Sequence, residues 1–199
     1  MSYSTFLNYI HKRSTLNQEA RNDMISKLNL VEAKKGDYLL KEGNIPHHLW
    51  FLVSGSVRRY YFHNDKKVTS WIHNENQIVT SYGTFFDQAP SYEFIQATED
   101  AVLISISYTD LHMLYKRHTN LQNFERILLQ EFLSSLDKFY RGFIFMTALQ
   151  KYESILEYFP DITQRVNLGY IASWLGISQE TLSRVRRKRK SYCTTTVKA

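Results

Sequence analysis

The sequence predicts an α+β protein. An N-terminal antiparallel β jelly roll flanked by helices is expected over residues 1–119, a long dimerisation helix over 120–147, and a small C-terminal helix-turn-helix domain over 148–199. Three observations carry this. Between Gly36 and Ser107, short segments rich in β-branched and aromatic residues alternate with turn residues at a spacing of about ten, the rhythm of a sandwich or jelly roll. From Asn120 to Thr147 no proline intervenes and apolar residues recur on a helical beat. From Tyr170, a compact apolar segment turns at Gly176, restarts on Ser178 and runs into Arg184–Lys190, where six of seven residues are basic.

The first segment, Tyr3–Leu30, reads as helical, with Phe6, Leu7 and Ile10, then Met24, Ile25 and Leu28 at helical spacing. Strands follow at Tyr38–Leu40, Leu49–Val53, Val57–Phe62 and Val68–Ile72, punctuated by Gly36, Gly43 and Gly55, with a hairpin tip at His63–Asp65. A second strand group covers Phe94–Thr98 and Ala101–Ser107. From Asp110 the period lengthens. Leu111, Leu114, Leu121, Phe124, Leu128, Phe132, Ser135 and Phe139 fall near a seven-residue beat, and Ile127, Leu136, Tyr140, Phe143 and Ile144 widen it. A helix over Asn120–Thr147 would be about 40 Å long. A stripe this wide needs cover from more than one side, so the helix is expected to pack on the sandwich and on a second copy of the chain. Leu149–Phe159 is an amphipathic helix ended by Pro160; Asn167–Trp174 and Ser178 to about Arg189 are two further helices.

Composition limits the function. The 199 residues suffice for one large domain or two small ones, and 43% apolar content supports a real core. Cys193 is the single cysteine, which excludes an intrachain disulfide, a Cys-based zinc site and a Cys-ligated iron–sulfur cluster. Met1–Ile10 lacks the pattern of a signal peptide and no run is long enough to span a bilayer, so a cytoplasmic protein with no membrane contact is expected. The net charge is +6, and 9 Lys+Arg against 4 Asp+Glu from Ala148 onward account for +5 of it. A polyanion partner would therefore meet the last quarter of the chain. A solvated, disordered tail is the plainer reading of the run, and it suits Lys188–Ala199 better than Arg184.

The Tyr170–Arg187 stretch has the parts of a helix-turn-helix. Gly176 suits the left-handed backbone at a helix end, Ser178 suits an N-cap, and Glu180 suits the positive end of the next helix dipole. Thr181 stands where a capping box would need Glu or Gln. Ile171, Ala172, Leu175, Ile177, Leu182 and Val185 form a small core. The candidate DNA-contacting residues are Ser178, Gln179, Glu180, Thr181, Ser183, Arg184, Arg186 and Arg187. Arg can pair with guanine, Gln with adenine and Glu with cytosine, while Thr181 and Arg186 suit phosphates. The alternative is an ordinary helical hairpin with a basic exterior.

"YIASWLGISQETLSRVRR" resembles the C-terminal helix-turn-helix of Crp–Fnr transcription regulators, and "KKGDYLLKEGN…LWFLVSGSVRRY" resembles the start of their cyclic-nucleotide-binding jelly roll. The resemblance runs over nearly the whole chain. It implies base reading by Gln179, Glu180 and Arg184, and a winged hairpin for which "KRKSYCTTTVKA" is too short and too polar. It also implies a phosphate cassette, opened by Gly-Glu and closed by Arg followed by Ser or Thr. Here Thr80-Ser81 replaces the first pair and Ser91-Tyr92 the second, Gly83 is kept, and Glu93 adds a negative charge. A buried phosphate without its cation is costly, so cyclic AMP is not expected to bind. Ser81, Tyr82, Gly83, Ser91 and Tyr92 are the candidate ligand residues. Two readings of the aromatic set Tyr82, Phe85, Phe86, Tyr92 and Phe94 stay open: a site for a neutral or apolar ligand, or a core filled in after ligand loss.

His47, His48, His63, His73, His112 and His118 are available to a haem, which keeps haem sensing open, but none falls at a recognisable ligand spacing, and no Walker loop or G-x-S-x-G is present. No metal, no cofactor and no catalysis are expected. The expected function is a dimeric, sequence-specific transcription regulator. Its partners would be double-stranded DNA, a second copy of the chain, a small-molecule effector and RNA polymerase. Its rivals are a small-molecule-binding protein with non-specific nucleic-acid affinity, and an architectural DNA-binding protein with a vestigial sensor.

Overall fold

The computed structural model describes the backbone of residues 3–196, and side chains in that range except at Lys138, Arg141, Gly142 and 190–196. Two short helices, α1 (Ser4–His11) and α2 (Gln18–Lys27), open the chain. The expected single helical segment breaks because Asn17 caps α2, its side chain accepting from the Ala20 N–H at 2.8 Å. The helical reading of Asn29 and Leu30 is corrected. They begin strand β1 (Asn29–Ala33), which pairs antiparallel with β8 (Ala101–Ser107). The ladder to a distant strand overrides a weak local preference.

Between these strands lie β2 (Tyr38–Leu40), β3 (His48–Ser54), β4 (Val57–His63), β5 (Lys66–His73), β6 (Ile78–Val79), helix α3 (Tyr82–Asp87) and β7 (Phe94–Ala97). They form two four-stranded antiparallel sheets, in the orders β1-β8-β3-β6 and β2-β7-β4-β5. Leu40, Trp50, Leu52, Val57, Ile95 and Leu103 fill the space between the sheets. The β4–β5 hairpin turns at Asn64 and Asp65, both at positive φ, the geometry of a two-residue loop whose twist matches the strands. A bulge interrupts this pair: Arg59 faces Trp71 and Tyr60 faces Thr69, leaving Ser70 as the extra residue.

Helices α4 (Tyr108–Arg117) and α5 (Thr119–Phe145) follow. With α1 and α2 they cover the β3–β8 face, burying Phe6, Ile10, Met24, Phe51, Leu114, Leu121 and Phe124. Later in α5, Phe132 stacks on Tyr82 at 4.5 Å and Phe139 meets Trp71 at 5.3 Å. The large apolar residues on the seven-residue beat thus pack inward, while Ser135 is exposed. A second stripe, Leu129, Leu133, Leu136, Tyr140 and Ile144, is exposed on the other side of α5, with Leu133 at 69% and Tyr140 at 70%. Thr147 ends any continuation of α5 because it caps α6 (Ala148–Tyr158) in a capping box with Gln150. Helices α7 (Ile162–Arg165), α8 (Leu168–Leu175) and α9 (Gln179–Thr196) complete the fold. Their core gathers Tyr152, Ile155, Phe159, Ile162, Ile171, Leu175, Leu182 and Val185, and includes Ile72 from β5. The α9 backbone stays helical to Thr196, beyond the expected Arg189, so the stretch read as a solvated tail begins as helix. Among the described residues, no helix is long and apolar enough to cross a membrane.

Gly55 tests the sandwich. At φ +92 its missing Cβ would lie 2.5 Å from the Asp100 carbonyl oxygen, whereas Gly36, at φ +98, has open space. Gly36→Ala should cost about 1–2 kcal/mol from backbone strain alone. Gly55→Ala should cost about 3 kcal/mol or more, because backbone must move as well. Urea unfolding of both variants measures the difference.

Candidate functional site

The hairpin α8–turn–α9 is built as its sequence requires. The Asn167 side chain accepts from the Gly169 N–H at 2.7 Å and starts α8. Gly176 ends it at φ 65, with Gly176 N–H donating to the Ser173 carbonyl and Ile177 N–H to the Ala172 carbonyl. This is the Schellman closure, which a left-handed glycine makes without strain. Ser178 then caps α9, accepting from the Thr181 N–H at 3.1 Å. The Glu180 carboxyl is held below its ordinary pKa, by a backbone hydrogen bond first and the Ser178 hydroxyl second.

On α9, Leu182 and Val185 are buried, which turns Gln179, Glu180, Ser183, Arg184 and Arg187 to solvent. Thr181 and Arg186 are half-buried at the flanks, and Ser178 is exposed at the cap. Six of the eight candidate DNA-contacting residues are therefore exposed, at the cap and along the outer side of α9. The Gln179 amide lies over Gly169 of α8, where an added Cβ would come within 2.5 Å of its nitrogen.

The cassette region is closed from within. Ser81 and Ser91 meet, their hydroxyls 3.2 Å apart, and the Ser81 hydroxyl donates to Glu93 Oε2 at 3.2 Å. Ser70, re-aimed by the bulge, donates to Glu93 Oε1 at 2.8 Å. Arg59 Nη1 lies 3.4 Å from Glu93 Oε2 and also reaches the Thr80 carbonyl. Glu93 is 5% exposed, so this is a buried carboxylate satisfied by hydroxyls and a guanidinium. The expectation of a site without a cation is corrected: Arg59 of β4 supplies the cation from outside the cassette, and Glu93 neutralises it. Tyr82 lies under α5, its hydroxyl donating to the Ile78 carbonyl, and burial pushes its pKa up to about 12. Gly83 and Tyr92 are exposed and take no part. Phe94 faces the outside of the sheet, stacked on Tyr60 at 4.9 Å, and Phe86 is exposed.

Arg59 and Ser70 were not among the candidates. A signal for Arg59 exists in "VRRYY": consecutive strand residues face opposite sides, so one of two adjacent arginines must point inward. The bulge that turns Ser70 inward has no such signal. His73 lies beside Arg59, buried, with neither ring nitrogen hydrogen-bonded. Burial first, then the Arg59 charge, holds its pKa well below the usual imidazole range; Gln77 approaches and opposes this slightly, short of hydrogen-bond geometry. Among the described residues, no group of three His, Cys, Asp or Glu side chains could hold a metal ion.

Residues 30–118 match the family model for the cyclic nucleotide-binding domain. No curated protein matches the sequence. Among solved structures, the chain is similar to FixK2 of Bradyrhizobium japonicum, with TM-score 0.67, 14% identity, and coverage of 83% of this chain and 85% of that one. It is similar to the Catabolite Activator Protein of Thermus thermophilus, with TM-score 0.56, 19% identity, and coverage of 92% and 87%. It is also similar to CLP, a c-di-GMP-responsive global regulator of Xanthomonas campestris, with TM-score 0.61, 17% identity, and coverage of 88% and 92%. At these identities the likeness is one of fold.

Arg59→Met should destabilise the protein by about 3 kcal/mol, because it strands a buried carboxylate, and adding Glu93→Gln should recover most of the loss. Chemical denaturation of the single and double variants reads this out. His73 gives a pH test. Its folded pKa is depressed, so its contribution is fully present above the unfolded value of 6.5 and is lost as pH falls below it toward the folded pKa. The stability difference between His73→Phe and wild type should be constant near pH 8 and should shift in favour of the variant between pH about 6.5 and 5, by up to about 1.4 kcal/mol per pH unit.

Proposed function

We propose that this chain is a dimeric, sequence-specific DNA-binding transcription regulator of Crp–Fnr type, not an enzyme, whose sensor does not answer to cyclic AMP. The observation that carries the reading is α9: a helix capped by Ser178 after a tight turn, presenting Gln179, Glu180, Ser183 and Arg184 from its first turns and continuing into a basic run. Side chains at the start of such a helix reach base edges in the major groove, while the basic continuation meets phosphate. Residues 1–119 would form the sensor, 120–147 the dimer helix, and 148–199 the DNA-binding domain.

The exposed stripe Leu129–Leu133–Leu136–Tyr140–Ile144 supports the dimer, since residues recurring every three or four positions form one apolar face that a second copy would cover. The Arg59–Glu93 pair supports a sensor that rejects a cyclic phosphate: the anion would have to displace a carboxylate already held by Ser70 and Ser81. A different small-molecule effector and a contact with RNA polymerase complete the reading. The similarity of fold to CLP and the Catabolite Activator Protein is in keeping with it.

Selection from a random DNA library at near-physiological salt should return a near-palindrome whose half-sites lie about 34 Å apart. Arg184→Ala should lose about 1–3 kcal/mol on that site and relax the preference at one base position. Equal loss on specific and random DNA would remove Arg184 from base reading. Addition of cyclic AMP should change neither affinity nor site.

A further inference from the structure

One guanidinium ties the C-terminal helices to the end of the jelly roll. Arg165, the last residue of α7, makes five hydrogen bonds. Its Nη2 donates to Glu75 Oε1 at 2.6 Å and its Nη1 to Glu75 Oε2 at 3.1 Å. Its Nε and Nη2 donate to Glu99 Oε1 at 3.0 and 2.5 Å, and its Nη1 also reaches Asp161 at 3.4 Å. Five bonds match the five N–H donors of an arginine. The receptor is also held from within the jelly roll. Glu75, between β5 and β6, also accepts from the Gly55 N–H at 3.0 Å, and Gly55 packs directly on the turn holding Asp100, next to Glu99. Partial burial raises the Glu75 carboxyl, but Arg165 and backbone N–H donors outweigh it and leave its pKa below the ordinary value.

Most of the remaining contact runs along β5 and the residue after it, with Arg58 of β4 adding a guanidinium 3.5 Å from the Tyr170 ring. The Thr69 N–H donates to Ser173 Oγ at 2.9 Å, Trp71 meets Trp174 at 5.2 Å, Ile72 enters the helical core, and Asn74 donates to the Tyr158 carbonyl. The face so docked is α8. The polar side of α9 remains exposed, so the contact orients the reading helix without covering it. Met146 and Thr147 join α5 to α6, and Phe143 of α5 packs on the helical core, so the docking on the sheet acts together with a short joint in setting the orientation.

We propose that Arg165 is a latch: held between Glu75 and Glu99, it sets the direction in which α9 projects from the sensor, and its release frees the C-terminal helices to pivot about Met146–Thr147. Arg165 acts as a positioning residue, away from α9. The consequence for DNA rests on the proposed reading role of α9; the latch itself does not.

The test is hydrogen exchange on the full-length protein without DNA. In Arg165→Met, the Thr69 amide, which donates to Ser173, should exchange at least about tenfold faster, while amides of β3 and β8 keep wild-type protection. Arg165→Lys keeps the charge but cannot engage both carboxylates through a fork, and should give an intermediate rate. Glu75→Gln with Glu99→Gln should reproduce the Arg165→Met result with the arginine in place. Unchanged Thr69 protection in both the Met variant and the Gln pair overturns the latch. A DNA arm measures binding to half-sites at varied separation: wild type should prefer one spacing, and Arg165→Met should accept several. If wild-type protein enriches no motif at all, DNA reading fails, and the exchange data still decide the latch.

Discussion

The β4–β5 ladder carries opposite chemistry on its two faces, and the rest of the structure is arranged around that division. Arg58 and Arg59 are consecutive, so one must point out of the sandwich and the other in. Inward, Arg59 meets the buried Glu93. Outward, Arg58 lies between two rings, 4.2 Å from Tyr60 and 3.5 Å from Tyr170 of α8, with Gln96 accepting two of its hydrogen bonds. The facing strand repeats the division: Glu93 points in and Phe94 points out, stacked on Tyr60. A column of Phe94, Tyr60, Arg58 and Tyr170 therefore joins the sensor sheet to the C-terminal helices, one residue away from the buried ion pair.

That adjacency has an energetic meaning. A buried ion pair contributes little net stability, because the cost of removing two charges from water is close to what their attraction returns. Its effect is in the difference between keeping and breaking it, since either partner left alone is strongly unfavourable. The outer cation–π contacts add about 0.5–2 kcal/mol each. Together they make the β4–β7 pairing hard to slide by one residue, because a slip would carry both arginines to the wrong face. The sheet that closes the cassette is thereby the sheet on which α8 docks.

The two ends of α5 serve different neighbours. Its first half is covered by α1, α4 and the β3–β8 face, so it belongs to the jelly roll. Its second half meets Trp71 through Phe139 and, through Phe143, the helical core that follows. With its outer stripe exposed as well, the helix carries large apolar side chains in three directions. One helix thus touches both the sandwich and the C-terminal core.

Much of this is legible in the sequence. Local chemistry fixes the turn at Gly176, the cap at Ser178, the tip at Asn64–Asp65 and the strand-rich middle, because each depends on the backbone freedom or side-chain reach of a residue and its immediate neighbours. The inward side of α5 follows from periodicity in the same way. The sequence also marks the cassette as altered. It does not say what fills it, because the parts come from three separate places: Arg59 from β4, Ser70 from the bulge on β5, and Glu93 just before β7. Nor does it show β1 as a strand, since only the ladder to β8 makes it one, or join Arg165 to Glu75 and Glu99, 90 and 66 residues away. Helix ends and turns are decided over a few residues. Buried charge is decided by which strands become neighbours, and that is a property of the tertiary fold.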